Sequence, residues 1–343
     1  MNKKIDVLVV GAGLSGIGAG YHLQKKCPET SFLILEGREN IGGTWDLFKY
    51  PGIRSDSDMY TLGYNFKPWK EQKAIADAPS ILKYLNETVE EFNLKSKIRF
   101  GKYVKKARWS SDSNQWTVDI EDKKTGKFSQ ILCSFIFMCS GYYSYKEGYT
   151  PHFEGKENFK GDIIHPQKWD TSFDYSNKKI VVIGSGATAV TIVPEMAKTA
   201  KHVTMLQRSP TYVVAAPEKD NLANKLRKYL PLKFTYWFIR WRNILRQQYY
   251  FRLCKKYPKG VKNVIIREVK KKLGNDFDVK THFTPKYNPW DQRMCLVPDG
   301  DLFEQINQGK ASVVTDHIKN FTENGLLLKS GKELKADVII TCL

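Results

Sequence analysis

The sequence predicts an α/β protein built from two Rossmann-like dinucleotide-binding domains with a helical insertion. Three observations carry this. A hydrophobic strand, a glycine-rich turn and a helix follow one another twice, with the turns opening at Gly11 and Gly184. Strand and helix patterns alternate along most of the chain, which calls for parallel sheets covered by helices on both faces. Between residues 217 and 275 the alternation gives way to a basic, aromatic, helical stretch.

Each element can be read in order. Ile5–Val10 is a buried-strand run that meets Gly11-Ala12-Gly13-Leu14-Ser15-Gly16, and 17–26 continues as a helix. Residues 32–35 form a second strand ending at Glu36, and a glycine- and aromatic-rich loop fills 38–69. A helix over 79–92 starts on proline, which suits a first helical turn. The alternating segments 98–109 and 116–121 predict an antiparallel excursion, and 131–139 is a further strand. Lys179–Ile183 opens the second unit, followed by Gly184-Ser185-Gly186-Ala187-Thr188-Ala189, a helix to about Lys198, and a strand 203–207 closed by Arg208. Short strands are expected at 312–314 and 326–328, and a last apolar strand at 336–341. The expected division is a first nucleotide domain over 1–145, a linker over 146–177, a second nucleotide domain from 178–216 plus 293–343, and a helical basic subdomain over 217–292.

Composition excludes several classes. With 343 residues, 41% hydrophobic and 27% charged, the chain is neither a disordered tail nor a membrane bundle. Its apolar stretch 131–144 falls short of the roughly 20 residues a membrane span needs, and the first residues lack a secretory pattern. Six scattered cysteines without a C-x-x-C argue against a disulfide framework or a zinc ribbon, so a reducing cytoplasm and no metal are expected. The net charge of +19 is local: 217–275 holds 17 Lys and Arg against three Asp and Glu.

A lone G-x-G-x-x-G says little, but the first copy has the context that gives it meaning. Gly11 permits the tight turn, Gly13 lets backbone approach a pyrophosphate, and Gly16 lets helix and strand pack closely. The helix N-terminus that follows, with Ser15 in its first turn, is suited to phosphate. Glu36, twenty residues after Gly16, places a carboxylate where ribose hydroxyls donate. This first turn suits a cofactor with a free ribose, such as FAD. The second copy has Gly184, Gly186 and Thr188, with Ala189 as its third small residue, and Arg208 and Ser209 at the strand tip. A carboxylate there would repel a 2′-phosphate, whereas an arginine pairs with it bidentately, so NADPH is expected over NADH. Two such turns imply an electron relay from NADPH to flavin. Without a C-x-x-C to reduce, O2 is the remaining acceptor.

At this point the sequence resembles a known family. Phe159-Lys160-Gly161-Asp162-Ile163-Ile164-His165-Pro166-Gln167-Lys168-Trp169-Asp170 matches F-x-G-x-x-x-H-x-x-x-W-[PD], the fingerprint of Baeyer–Villiger monooxygenases. Gly42-Gly43-Thr44-Trp45 with Tyr50-Pro51-Gly52 and Asp56 matches the second motif of that family, G-G-x-W…Y-P-G-x-x-x-D. The stretches 56–63, 207–212 and 287–293 look closest to the ethionamide-activating and long-chain-alkane-associated branch of class B flavin monooxygenases.

The resemblance covers nearly the whole chain. It implies a C4a-peroxyflavin that inserts oxygen into a ketone, giving an ester or lactone, or oxidises a sulfide or thioamide sulfur. The substrate would be a small lipophilic carbonyl or sulfur compound. By the same resemblance Arg293 is the catalytic arginine and Asp56 its partner carboxylate, while Gly43, Thr44, Trp45, Asp56 and Tyr60 line the flavin site. His165 and Trp169 couple the two domains. Gln292 stands where many members carry Lys, which leaves recognition of the 2′-phosphate to Arg208 and Ser209. Members continue past a strand like 336–341 and return to the flavin domain. This chain stops at Leu343, so a truncated form with apolar surface laid bare is expected. An NADPH oxidase or reductase without oxygen insertion, and an inactive nucleotide-binding remnant, remain as alternatives.

The basic segment interleaves bulky apolar residues with arginines from Tyr236 to Arg252. It reads as a helical cap over the active site, as a peripheral membrane contact through 234–256 at the inner face of the membrane, or, third, as a nucleic-acid surface. The first two are compatible, and no nucleic-acid partner is expected.

Overall fold

Strand β1 (Lys3–Val10) feeds α1 (Leu14–Lys26), and the chain returns through β2 (Phe32–Leu35), whose four residues are all buried. The computed structural model describes residues 3–342. By contacts the chain divides into two compact units, one of 1–47 and 78–146, the other of 48–77 and 147–343.

In the first unit, α2 (Thr44–Leu47) and α4 (Ala78–Glu91) accompany a six-stranded sheet. Its later strands are β3 (Ile98–Arg99), β4 (Lys102–Ser110), β5 (Gln115–Asp122) and β6 (Phe128–Met138). The order is β3-β2-β1-β6-β5-β4. The first four run parallel, while β5 and β4 are antiparallel additions. The expected antiparallel excursion is therefore present as β4–β5, but Ile98–Arg99 pairs parallel with β2 instead. On β6, Phe135 and Phe137 are two residues apart and so share a face. Both are exposed, as are Phe128 and Met138.

The second unit starts with α3 (Met59–Leu62) inside the 48–77 segment. Its main sheet has the order β12-β9-β8-β16-β7 and is parallel throughout. Those strands are β7 (Asp162–Ile164), β8 (Lys179–Ile183), β9 (His202–Gln207), β12 (Ala311–Thr315) and β16 (Val338–Thr341). A two-stranded parallel ribbon joins β10 (Tyr212–Ala216) to β11 (Met294–Pro298). An antiparallel meander holds β13 (Ile318–Thr322), β14 (Gly325–Leu328) and β15 (Glu333–Lys335).

The helices of the second unit are α5 (Ala187–Met196), α6 (Asn221–Leu226), α7 (Leu232–Lys256), α8 (Pro258–Leu273), α9 (Val279–His282) and α10 (Asp301–Asn307). Strand β8 shows why both sheet faces are covered. Ile180 and Val182 pack with Val190, Val193 and Phe303, while Val181 and Ile183 pack with Leu326, Leu328 and Phe321. Successive side chains point to opposite faces, so a strand buried on both sides must be apolar throughout.

The two sheets repeat one design. β3-β2-β1-β6 and β12-β9-β8-β16 place a glycine-turn strand between its successor and a later return strand. The contact-based units group the residues differently from the sequence division. Segment 48–77 groups with the second unit, and so do residues 147–177 and 217–292. Among the described residues, no helix is long and apolar enough to cross a membrane.

Candidate active site

The first turn has the geometry its glycines allow. Gly11 has a positive φ of 104°, and its ideal Cβ would sit 2.5 Å from the Cys139 carbonyl oxygen at the end of β6. A Cβ on Gly16 would overlap the Gly11 carbonyl. Gly13 and Gly43 face each other: a Cβ on either would lie 3.6 or 3.2 Å from the other's Cα. The motif Gly43-Thr44-Trp45 is thereby laid against the first glycine turn. Gly13 caps α1 without any side-chain hydrogen bond, and Ser15 is exposed in the first turn. The start of α1 thus carries no side-chain cap over its first backbone N–H groups.

Glu36 is buried at 4% exposure and organises this turn. Its carboxylate accepts the Ala12 N–H at 2.8 Å and the Arg38 N–H at 3.0 Å. Arg38, which the sequence reading passed over, donates to the Gly43 carbonyl at 3.2 Å and pairs with Asp46 at 2.5 Å. Its guanidinium also lies 5.7 Å from the Tyr145 ring centroid. Position two residues beyond Glu36 was the only sequence signal for Arg38.

The second turn is built alike in the second unit. Gly184 has φ of 127°, and a Cβ there would overlap the Cys342 carbonyl at the end of β16. Gly186 caps α5, again with no capping side chain. The Ser185 and Thr211 hydroxyls are 3.1 Å apart across the turn. Arg208 and Ser209 are exposed directly after β9, where Glu36 follows β2 in the first unit.

Arg293 immediately precedes β11, and its guanidinium lies over the second turn: an ideal Cβ on Gly186 would be 2.5 Å from its Nη1. The Tyr287 hydroxyl donates to the Arg293 carbonyl at 3.0 Å, and the Tyr212 hydroxyl donates to the Tyr287 carbonyl at 2.6 Å. These bonds fix the backbone that carries the arginine. Asp56 is exposed, and Ser57 Oγ donates to it at 3.3 Å. Among the described residues Asp56 and Arg293 form no ion pair. Both fields nonetheless reach the buried Cys295 thiol, whose pKa burial pushes up to about 11, with Arg293 lowering and Asp56 raising it.

The Tyr50-Pro51-Gly52 motif docks on α5. Tyr50 hydrogen-bonds Thr188, and burial raises its pKa to about 12. Gly52 has φ of 74°, and a Cβ on it would be 2.9 Å from Glu195 Cβ. Arg54 pairs with Asp301 at 2.6 Å, and burial holds the Asp301 carboxyl above its ordinary range despite that partner. The sequence reading missed this pair because its members lie far apart in the chain. Tyr60 is 1% exposed, with its ring 5.9 Å from that of Tyr236 on α7.

His165 follows β7. Its Nδ1 accepts the Gln167 N–H at 3.2 Å, and its Nε2 is buried without a partner. Gly148 leaves room for the imidazole, since any Cβ there would overlap the ring. Trp169 packs edge-on against Phe173 and Tyr175. Burial lowers the His165 pKa, and it lowers that of His282 as well. Unfolded histidine takes up its proton near pH 6.5, whereas these two resist it. The unfolded chain then binds more protons, so acid favours unfolding. Stability is therefore expected to fall as pH drops below about 6.5. The change in denaturation midpoint with pH should shrink, without vanishing, in His165→Gln.

The flavin-binding monooxygenase-like family profile matches residues 2–342. The FAD-containing monooxygenase EthA of Mycobacterium tuberculosis is 53% identical over 342 residues, spanning 99% of this chain and 70% of the relative. The probable FAD-binding monooxygenase AlmA of an Acinetobacter species is 52% identical over 99% of this chain and 68% of its own length. Among solved structures, an oxidised steroid monooxygenase bound to NADP superposes with a TM-score of 0.80 at 23% identity, covering 99% of this chain and 70% of the other. At that identity the likeness speaks for the fold.

Proposed function

Because the chain belongs to the flavin-binding monooxygenase-like family, we propose that it is an FAD- and NADPH-dependent monooxygenase. It would place one oxygen atom of O2 on the carbonyl or soft sulfur of a small lipophilic molecule. One observation carries this reading: two phosphate turns of the same build end in strand tips of opposite charge, Glu36 and Arg208. The residues fit the two cofactors. Gly43 lies against Gly13 in a cradle that a Cβ on Gly43 would crowd, and Glu36 stands where a ribose would lie. Gly186 and the uncapped start of α5 receive the second pyrophosphate beneath Arg293.

When bound, the two cofactors supply the reducing equivalents and the activation of oxygen. The protein's part is to bind, orient and hold charge. The backbone of the first turn, with Ser15, Thr44 and Trp45, holds FAD. Arg208 and Ser209 select the 2′-phosphate of NADPH. Arg293 supplies a fixed positive charge that stabilises negative charge developing on oxygen. Asp56 moderates that field, while His165 and Trp169 position the stretch that leads into β8. A lipophilic substrate is reached at the inner face of the membrane, through a peripheral contact of residues 234–256.

Purified protein supplied with FAD should take up the flavin and form oxygenated product in step with NADPH consumed. Hydrogen peroxide in place of product would make it an oxidase. A colourless protein that takes up no flavin would leave only nucleotide binding. Arg208→Ala should lower kcat/KM for NADPH by about a hundredfold, the worth of a lost charge-assisted pair, and leave the value for NADH unchanged.

A further inference from the structure

Helix α7 is apolar on two sides, and only one of them is used for folding. Thr235, Tyr236, Ile239, Asn243 and Cys254 are buried. On this side Arg240 donates to the Tyr60 and Gly63 carbonyls at 2.6 and 2.9 Å, and Asn243 donates to Asp58 at 2.9 Å. The opposite side shows Phe234, Trp237, Phe238, Trp241, Leu245 and Tyr249, each between 45% and 65% exposed. Their spacing of three and four residues places them in one stripe along the helix. The Trp237 and Trp241 rings stack on each other at 6.3 Å. A surface helix of a soluble protein ordinarily keeps its outer face polar.

Charge narrows what can cover this stripe. Across its 25 residues α7 has no Asp or Glu and seven Lys or Arg. Arg252 and Lys256 continue the line of the stripe toward the C-terminus, and Lys233 and Arg246 flank it. All four are exposed. A second copy of α7 would set like charges against one another. The occupant must offer an apolar layer bordered by negative charge.

We propose that the Phe234–Tyr249 face of α7 lies on the surface of a bilayer containing anionic phospholipid, with the aromatic rings at the level of the headgroups and Arg246, Arg252 and Lys256 on the phosphates. This rests on the peripheral contact proposed above, and it names the face and the lipid. The side facing inward grips α3, which follows Asp56 in the chain, so the helix that touches lipid also steadies the segment of the candidate site.

The test needs no turnover and uses the full chain with vesicles of phosphatidylglycerol and phosphatidylcholine, or of phosphatidylcholine alone. The protein should sediment with the anionic vesicles at low salt and be released as salt rises. Its tryptophan fluorescence should shift to the blue and be quenched by brominated acyl chains. Trp237→Glu with Trp241→Glu should weaken binding by about tenfold or more with an unchanged denaturation midpoint, since both side chains are exposed. Arg246→Glu with Arg252→Glu should abolish the preference for anionic lipid. Equal binding to neutral vesicles would overturn the choice of lipid while leaving a membrane contact standing. Failure to bind any vesicle would overturn both. Displacement by single-stranded DNA, or a dimer in ultracentrifugation that the tryptophan variants dissolve, would assign the face to another partner.

Discussion

Replacing Arg293 by alanine should cut oxygenated product by roughly a hundredfold to a thousandfold, the loss seen when a fixed donor to developing negative charge is removed. The structure gives the reasons. The guanidinium lies over Gly186, and two tyrosine hydroxyls in series, from Tyr212 and Tyr287, hold its backbone. A charge held before the reaction starts costs little to reorganise when negative charge appears. The same position over the second phosphate turn means that the alanine variant should also need more NADPH to saturate. Lysine at 293 should restore charge without the planar fork, and so recover saturation more fully than product formation. Product and NADPH consumption, followed together across NADPH concentrations, separate the two effects. An alanine variant that makes product at the wild-type rate would remove Arg293 from the chemistry.

The largest effect on folding is expected from Gly16→Ala. A methyl group there would overlap the Gly11 carbonyl, and neither the turn nor β1 can yield without disturbing the turn's approach to Gly43. Overpacking of this kind costs about 3 kcal/mol. The denaturation midpoint should drop and flavin uptake should fall with it. The second turn provides the control, because Ala189 occupies the equivalent place and is fully buried. There the helix already accommodates a methyl group. Ala189→Gly should therefore cost only the backbone freedom it adds, about 1 kcal/mol, and leave flavin uptake alone. Similar losses from the two substitutions would mean that the two turns are packed alike.

What the sequence made legible was local. Strand, glycine turn, helix and the charged strand tip lie within about thirty residues of each other in both copies, and their order reports the packing directly. The short strands β7, β10 and β11 were not legible. β7 pairs with β16, and β10 with β11, across long stretches of chain, and three to five residues carry too little periodicity to announce them. The assignment of 48–77 was hidden for the same reason. The motif from Gly42 to Asp56 reads as one piece, yet Gly43 meets Gly13 in the first unit while Tyr50, Gly52 and Arg54 meet α5 and Asp301 in the second. Only long-range contacts divide it. For α7 the difficulty was different. Apolar residues on both flanks cancel the one-sided pattern by which a helix shows where its core lies, although composition alone pointed to a helix.

The matched order of strands in the two sheets has a consequence for how selectivity is distributed. Backbone pairing and buried aliphatic side chains decide that order, and they are indifferent to the sign of a single charge beyond the end of β2 or β9. A frame used twice would by itself accept either nucleotide in either place. On the function proposed above, telling them apart would fall to a few atoms at two strand ends, one carboxylate and one guanidinium, which the frame itself does not need.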